Sequence, residues 1–413
     1  MFKVFIITLL LVTCFLRVNG QDYNLQYYLK QGEANSPLLK DYKNRMRTGM
    51  VDSLLIKASN RPRVLANGQV LIAPAWHGYG FDPAVTNGGN YQAVIAFSQP
   101  IFNKYILRPE YRQIALQQQA TRIHEQVSRL DMDKDITGQY ITAYADYVQL
   151  ALYKDVSDLL RKQQKILGVL VRNGIYKETD YLKLKVALQT QEISTSQVNA
   201  QYKTDIANLN LLCGISDTLP VILAEPQIQG TGYFSHKINS VFFEQFIIDS
   251  LNIQNARKVI DAKYKPFVSW FADVGLESSR PAPFHKNFGA DFGVNLHIPI
   301  YDGQRRKIVY AKQEIDEATR CAYASSFNRQ YVQQHAMLLQ QLKESEKLIR
   351  AIKEKMKTTD LLISLEKEQL NTGDITITDY LLAVSNYLDT KNSLNREIAN
   401  RWEILNQLNY LNN

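Results

Sequence analysis

The sequence predicts an α+β membrane protein in which each chain supplies four strands to a shared β-barrel, continued by long helical hairpins. Three observations carry that expectation. Residues 110–219 and 300–413 contain no proline, although the 413-residue chain has 12. Four segments of about ten residues alternate apolar and polar side chains. The whole arrangement is written twice, at a constant spacing. With 45% apolar and 21% charged residues the composition is that of a folded chain. The scarcity of turn residues in the two long tracts disfavours an all-β sandwich or a doubly wound α/β enzyme.

The N-terminus reads as a secretory signal over residues 1–20. Lys3 precedes an apolar run from Val4 to Leu16, and Val18-Asn19-Gly20 offers small residues before Gln21. Leu11-Val12-Thr13-Cys14 vaguely resembles a lipoprotein acceptor, but Thr13 is large for that site and lies inside the apolar run. Cleavage after Gly20 would remove Lys3 and Arg17, lowering the net charge from +8 to +6. A basic balance of this size fits nucleic acid, an anionic membrane surface or no particular partner, and export disfavours nucleic acid. Cys213 and Cys321, the two cysteines left, sit in apolar helical contexts and are expected as buried thiols. No later segment has 18 consecutive apolar residues, so a membrane could be crossed only by a closed barrel.

The repeat organises the rest. Phe97-Ser98-Gln99-Pro100-Ile101-Phe102 returns as Leu296-His297-Ile298-Pro299-Ile300-Tyr301, an offset of 199. Asn173-Gly174 with Thr179-Asp180-Tyr181-Leu182 returns at the same offset as Thr372-Gly373 with Thr378-Asp379-Tyr380-Leu381, and Leu209-Asn210 as Leu408-Asn409. The expected division is a first repeat over 21–225 and a second over 226–413. Each holds a helix, a β-hairpin (62–100, then 266–300) and a long helical hairpin (103–213, then 303–411).

Within the hairpins, Phe288, Ala290, Phe292, Val294, Leu296 and Ile298 alternate with Gly289, Asp291, Gly293, Asn295 and His297, and Val268 to Leu276 offers a partner. In the first half Val64, Ala66, Val70 and Ile72 alternate against Asn67 and Gln69, followed by Tyr91, Ala93, Ile95 and Phe97. Loops are expected near 78–90 and 277–287. Each strand has the length that a tilted transmembrane strand needs. In the helices, Ile349, Ile352, Met356 and Ile363 follow heptad steps, as do Leu381, Val384, Leu388, Ile398, Trp402 and Leu405. A helix of about 70 residues is about 105 Å long, turning back at Gly174 or Gly373, where a positive φ is available. Four strands cannot close a membrane barrel, and an open sheet cannot leave its edges in lipid. Sister copies must therefore complete it, with about eight strands from two chains or 12 from three.

These features together resemble the TolC-like outer-membrane factor family, over about residues 22–412. The resemblance rests on the opening segment LKQGEANSPLL at 29–39, the two strand-to-helix junctions around Pro100 and around Pro299-Ile300-Tyr301-Asp302-Gly303, and the Gly-x4-Thr-Asp turns at 174–180 and 373–379. It implies a homotrimer with a 12-stranded barrel in the outer membrane of a Gram-negative bacterium and an α-helical tunnel extending into the periplasm. The implied role is the passive exit duct of a tripartite efflux pump or a type I secretion system. Its implied partners are a periplasmic adaptor (membrane fusion) protein, an inner-membrane RND or ABC transporter, and outer-membrane lipid. Gly174, Ile175, Gly373 and Asp374 would then meet the adaptor. Thr179, Asp180 and Asp379 would form the periplasmic constriction. Ile375 stands where some members carry an Arg, and Leu382 where some carry a second Asp, which implies a weaker latch here. Read without the resemblance, the same carboxylates are solvated helix caps, and Asp302 is an N-cap beside the turn at Gly303.

No enzyme, cofactor or metal is expected. The histidines at 77, 124, 236, 285, 297 and 335 lack metal-ligand spacing, and no phosphate loop, nucleophile elbow or His-Glu-x-x-His motif occurs. Asp131-Met132-Asp133-Lys134-Asp135 opens like a calcium loop, but Ile136 occupies the glycine position and the closing Glu is missing, so a helix face is expected. Trp76, Tyr79 and Phe81 suit an interfacial aromatic belt, with Arg61, Arg63, Lys263 and Lys265 at the opposite strand ends. The alternative function is a secreted periplasmic coiled-coil scaffold or adaptor, which would have no reason to repeat strand, strand, helix, helix at one offset.

Overall fold

The computed structural model describes residues 23–74, 76–101, 103–217, 221–230 and 240–412. The signal segment expected at 1–20, Cys14, Phe102 and His236 lie outside them. Helix α1 (Leu25–Asn35) starts at Asn24, whose side chain accepts from Tyr27 N–H at 3.0 Å. Ser36 interrupts it, because the residue before a proline avoids the helical region. Pro37 then opens α2 (Pro37–Ser59), with Ser36 Oγ accepting from Leu39 N–H at 3.3 Å. Next come β1 (Arg63–Ile72), the single turn α3 (Pro83–Thr86), β2 (Gly89–Ile101), α4 (Lys104–Arg172, 69 residues) and α5 (Glu178–Leu212, 35 residues). The second series is α6 (Val241–Lys263), β3 (Phe267–Ser278), β4 (Phe288–His297), α7 (Arg305–Thr372, 68 residues) and α8 (Ile377–Asn412, 36 residues).

The chain forms two compact units, and each draws on both halves of the sequence. One takes residues up to 39, 127–240 and 328–413; the other takes 40–126 and 241–327. The first unit is held by apolar stripes. Tyr28, Tyr140, Tyr202, Ile206, Leu209 and Cys213 form one buried cluster, in which the Tyr140 hydroxyl donates to Ala224 O at 2.6 Å. Leu167, Leu184, Leu370, Ile377 and Tyr380 form a second, and Leu338, Leu342, Leu405 and Leu408 a third. Of the heptad positions, Ile349, Met356, Val384, Trp402 and Leu405 are buried, while Ile352, Ile363, Leu381, Leu388 and Ile398 are half-buried.

The second unit contains the sheet and the helix segments beside it. Pro109 lies inside α4, where a ring without an N–H removes one backbone bond. Its own carbonyl is held by buried Asn255 of α6, whose Nδ2 donates to Pro109 O at 2.9 Å. Phe243 of α6 meets Phe327 of α7 edge to face, ring centres 5.3 Å apart.

Cys321 departs from expectation. Cys213 is buried, but Cys321 is exposed, on a face of α7 where the Arg320 guanidinium approaches its Sγ at 3.0 Å. Apolar neighbours along a helix do not fix which face packs. The acidic run at 131–135 lies within α4, where residues spaced around a helix cannot wrap one ion. Among the described residues no three His, Cys, Asp or Glu side chains gather as a metal site. Among the described residues no helix is long and apolar enough to cross a membrane.

Candidate functional site

The strands form one antiparallel sheet in the order β1-β2-β3-β4. Directly opposed residues face the same side, so the register decides which side chains share a surface. Val64 opposes Phe97, which opposes Ala272, which opposes Phe292. One step along, Ala66, Ile95, Val274 and Ala290 line up. Every row of this phase is apolar or glycine save for Gln99, which opposes Trp270, and Ser278, which opposes Tyr91. The alternate phase carries Asn67, Gln92, Ser98, Asp273, Asp291 and Asn295. The sheet therefore has one almost wholly apolar face and one mixed face, on which these polar side chains alternate with Leu65, Leu71, Val94 and Phe271.

Neither face is covered by this chain at the sheet's margins. Phe292 is 89% exposed and Ile72 68% exposed, and all ten residues of β1 are exposed. β1 and β4 each pair on one side only, leaving two open ladders. On the polar face Asp273 opposes Asp291 directly, and one Asp273 oxygen is buried without a hydrogen-bond partner. Phe271 lies over Gly293, where an added Cβ would sit 2.7 Å from its ring. The long loop between β1 and β2 exposes Trp76, Tyr79 and Phe81 and is pinched by reciprocal backbone bonds between Trp76 and Tyr79 of 2.8 and 2.9 Å.

The connections to α2, α4, α6 and α7 all leave one end of the sheet, since Arg63 opposes Ser98, Ile101 opposes Val268 and Phe267 opposes His297. Pro100 lies past the last β1–β2 pair, where one flank of β2 has no neighbour to receive an N–H. Beyond Pro299 the chain turns at Gly303 (φ +67°) and Gln304 (φ +65°), and Asp302 Oδ2 accepts from Arg306 N–H at 2.8 Å at the start of α7. Tyr264 and the helix N–H groups hold the Asp302 carboxyl below its usual range.

The helical turns come together in the other unit. At the first, Gly174 (φ +74°) lets Ile175 N–H reach back to Leu170 O at 3.0 Å, closing α4. Lys177 occupies the cap of α5 but has no acceptor to offer. Only the return half of a capping box forms, with Asp180 Oδ2 accepting from Lys177 N–H at 3.3 Å. Asp180 also pairs with Lys183 at 3.4 Å. Thr179 is exposed, with no side-chain hydrogen bond to another described residue. At the second turn Gly373 (φ +87°) is followed by Asp374, whose N–H returns to Gln369 O at 3.0 Å. Here the box is complete: Asp379 Oδ2 accepts from Thr376 N–H at 3.3 Å, and Thr376 Oγ1 accepts from Asp379 N–H at 3.2 Å. Neither Asp180 nor Asp379 hydrogen-bonds across to the other turn.

Tyr176 does cross. Its hydroxyl approaches Leu370 O at 3.0 Å and Ile375 O at 2.8 Å, and Ile175 packs where a Cβ on Gly373 would meet it at 2.9 Å. Burial, then the Asp180 and Asp374 carboxylates, raises the Tyr176 hydroxyl above its ordinary pKa. Ile375 packs against the core beneath the turns, and Leu382 is exposed. Glu366 of α7 stands close enough to Asp379 that burial, then that like charge, raises its carboxyl pKa; one of its oxygens is buried and unbonded. Sequence inspection missed both residues. Tyr176 carried a faint signal, an aromatic two residues after the turn glycine where the second turn has Ile375. Glu366 carried none.

No family model and no curated protein matches the sequence. Solved structures do match over nearly the whole chain. The outer membrane protein VceC of Vibrio cholerae is 13% identical, with 94% of this chain and 96% of that one covered and a TM-score of 0.71. The CmeC outer membrane channel of Campylobacter jejuni is 12% identical, covering 94% and 85%, with a TM-score of 0.74. The open state of the MtrE outer membrane channel of Neisseria gonorrhoeae is 13% identical, covering 95% and 89%, with a TM-score of 0.67. A mostly helical chain with a single four-stranded, two-faced antiparallel sheet has the fold of the TolC-like outer-membrane channels.

Proposed function

We propose that the chain is a passive duct of the outer membrane of a Gram-negative bacterium, reaching into the periplasm. Three copies supply 12 strands to one barrel, with the apolar phase toward lipid and the polar phase toward the lumen. The observation that carries this is the register. Ten to 13 residues per strand, at about 3.3 Å each and tilted by about 40°, span about 25 to 35 Å, and a nearly uniform apolar phase backed by a phase that holds the carboxylates and amides suits a wall between hydrocarbon and water. A scaffold in water gains nothing from leaving such a face bare. The open ladders at β1 and β4 are then the seams between copies.

In this reading the chain does no chemistry and belongs to an efflux pump or a type I secretion system. A periplasmic adaptor docks around Gly174, Ile175, Gly373 and Asp374, and an inner-membrane RND or ABC transporter supplies the energy. Thr179, Asp180 and Asp379 line the periplasmic constriction. With Ile375 committed to the core and Leu382 uncharged, no Arg–Asp latch is available at those positions. The internal repeat accounts for the near-equal long helices of 69 and 68 residues. Reconstitution into planar bilayers, with gel mobility before and after boiling, tests the function. Discrete conductance steps and an oligomer that dissociates only on boiling are expected. A water-soluble monomer that never conducts overturns the proposal.

A further inference from the structure

The apolar surface of the sheet does not stop where pairing stops. β4 ends at His297, but the same phase continues through Ile298 to Ile300, which is 93% exposed, with Tyr301 beside it at 82%. Ile308, on the first turn of α7, is also exposed. Apolar and aromatic side chains therefore reach past the paired strands, at the end where α2, α4, α6 and α7 meet the sheet.

Charge is concentrated at the same end. Some cations there are spent within the fold: Arg306 pairs with Asp261 and lies over the rings of Tyr264 and Tyr310, and Lys265 lies over Tyr105. Others are not. Arg61, Arg63, Lys104, Lys263, Arg305 and Lys307 are exposed, and none forms a salt bridge with another described residue. The carboxylates nearby, Asp261 and Asp302, are already bonded to Arg306 and to the start of α7. Unpaired cations beside exposed isoleucine and tyrosine fit neither a helix-packing surface nor bulk water. They fit the boundary between acyl chains and phosphate.

We propose that the junction of sheet and helices is a collar for anionic glycerophospholipid. Ile300, Tyr301 and Ile308 insert at the glycerol level, and Arg305 and Lys307, with the cations of the neighbouring strand ends, hold headgroup phosphates of the helix-side leaflet. The inference rests on the channel reading, because that reading places this end of the sheet at the membrane surface. It adds a lipid class and names the residues that choose it.

The test titrates delipidated protein, in mild detergent, with phosphatidylglycerol and with phosphatidylcholine, and counts bound lipids by native mass spectrometry. Wild type should retain phosphatidylglycerol in preference, and Arg305→Gln with Lys307→Gln should lower that preference about tenfold while leaving total phosphatidylcholine binding unchanged. The double substitution to the other cation, Arg305→Lys with Lys307→Arg, should restore it. Inorganic phosphate at equal concentration should not displace the lipid; if it does, a simple anion site replaces the collar. Equal retention of the two lipids by wild type, or an unchanged preference in the Gln variant, overturns the proposal. Conductance of the same samples in planar bilayers separates the two ideas. Channels without lipid preference end the collar alone, whereas the absence of insertion ends the channel reading.

Discussion

At the scale of single residues, the turn carboxylates have a structural task whatever else they do. Asp379 and Thr376 close a reciprocal box, satisfying two backbone donors at the start of α8. Asp379→Ala should therefore lower the melting free energy by about 1 kcal/mol, and Thr376→Ala by a similar amount. Conductance separates the proposed constriction from this cap. Asp379→Asn keeps an oxygen for the cap and removes the charge, so it should melt near wild type yet change single-channel conductance. If Asp379→Ala and Asp379→Asn both conduct like wild type, Asp379 is a cap only. Tyr176→Phe deletes the hydroxyl shared by Leu370 O and Ile375 O, leaving partly buried carbonyls without it. A loss of about 1–2 kcal/mol is expected, with faster amide exchange at Gly373 and Asp374; protection equal to wild type would show that the cross-turn contact carries no stability. The two turn glycines were legible in sequence, because a positive φ excludes most side chains. Tyr176 and Glu366 were not, since their partners lie on segments that only folding brings near.

At the scale of elements, alternation revealed the strands, and heptad spacing revealed the helix stripes. Both signals are local and survive without knowledge of the partner. The pairing of β2 with β3 had no such signature. Ile95 meets Val274 across the whole of the first helical hairpin and α6, and only this pairing turns two hairpins into one sheet. The same limit hid Asp146 of α4 and Asp205 of α5. Asp146 lines a cavity of about 1040 Å³ between α4 and α8, and burial, then the Asp205 carboxyl, raises its pKa to about 7. Asp205 accepts from Gln139 at 3.2 Å and Gln201 at 2.7 Å; despite its burial, the bonds from Asp146 and these amides lower its pKa. The signs oppose one another. Asp146 binds its proton more tightly folded than unfolded, so its contribution is full below about pH 4 and is lost as pH rises toward 7. Asp205 contributes above its unfolded pKa and loses that contribution in acid. Asp146 should thus make stability decline between about pH 4 and 7, contributing a slope of at most about 1.4 kcal/mol per pH unit. Asp146→Asn should make the decline in that window shallower, leaving the part due to Asp133, whose carboxyl burial raises to about 6, and leaving the acid limb in place. Denaturant melts across the range decide, and a slope unchanged in the variant would remove Asp146 as its source.

At the scale of the whole molecule, the question is what the two faces of the sheet confront, and substitution on each face answers it. Phe292 lies in the apolar phase of β4 and is 89% exposed in the single chain; Asn295, three residues on, lies in the polar phase. In water both sites would accept a lysine with little consequence, because exposed substitutions away from packing features cost within about 0.5 kcal/mol. In a barrel the two differ sharply. Lys on the lipid face near the bilayer midplane costs about 2–4 kcal/mol, whereas a lumen position keeps its ammonium in water. Phe292→Lys should then weaken bilayer insertion and the boil-sensitive oligomer, while Asn295→Lys should assemble normally and shift ion selectivity toward anions. Equal tolerance of both would mean that the sheet never meets hydrocarbon. The open ladders at β1 and β4 would then need another partner, since an unpaired edge beside so broad an apolar face invites uncontrolled association unless a defined neighbour occupies it.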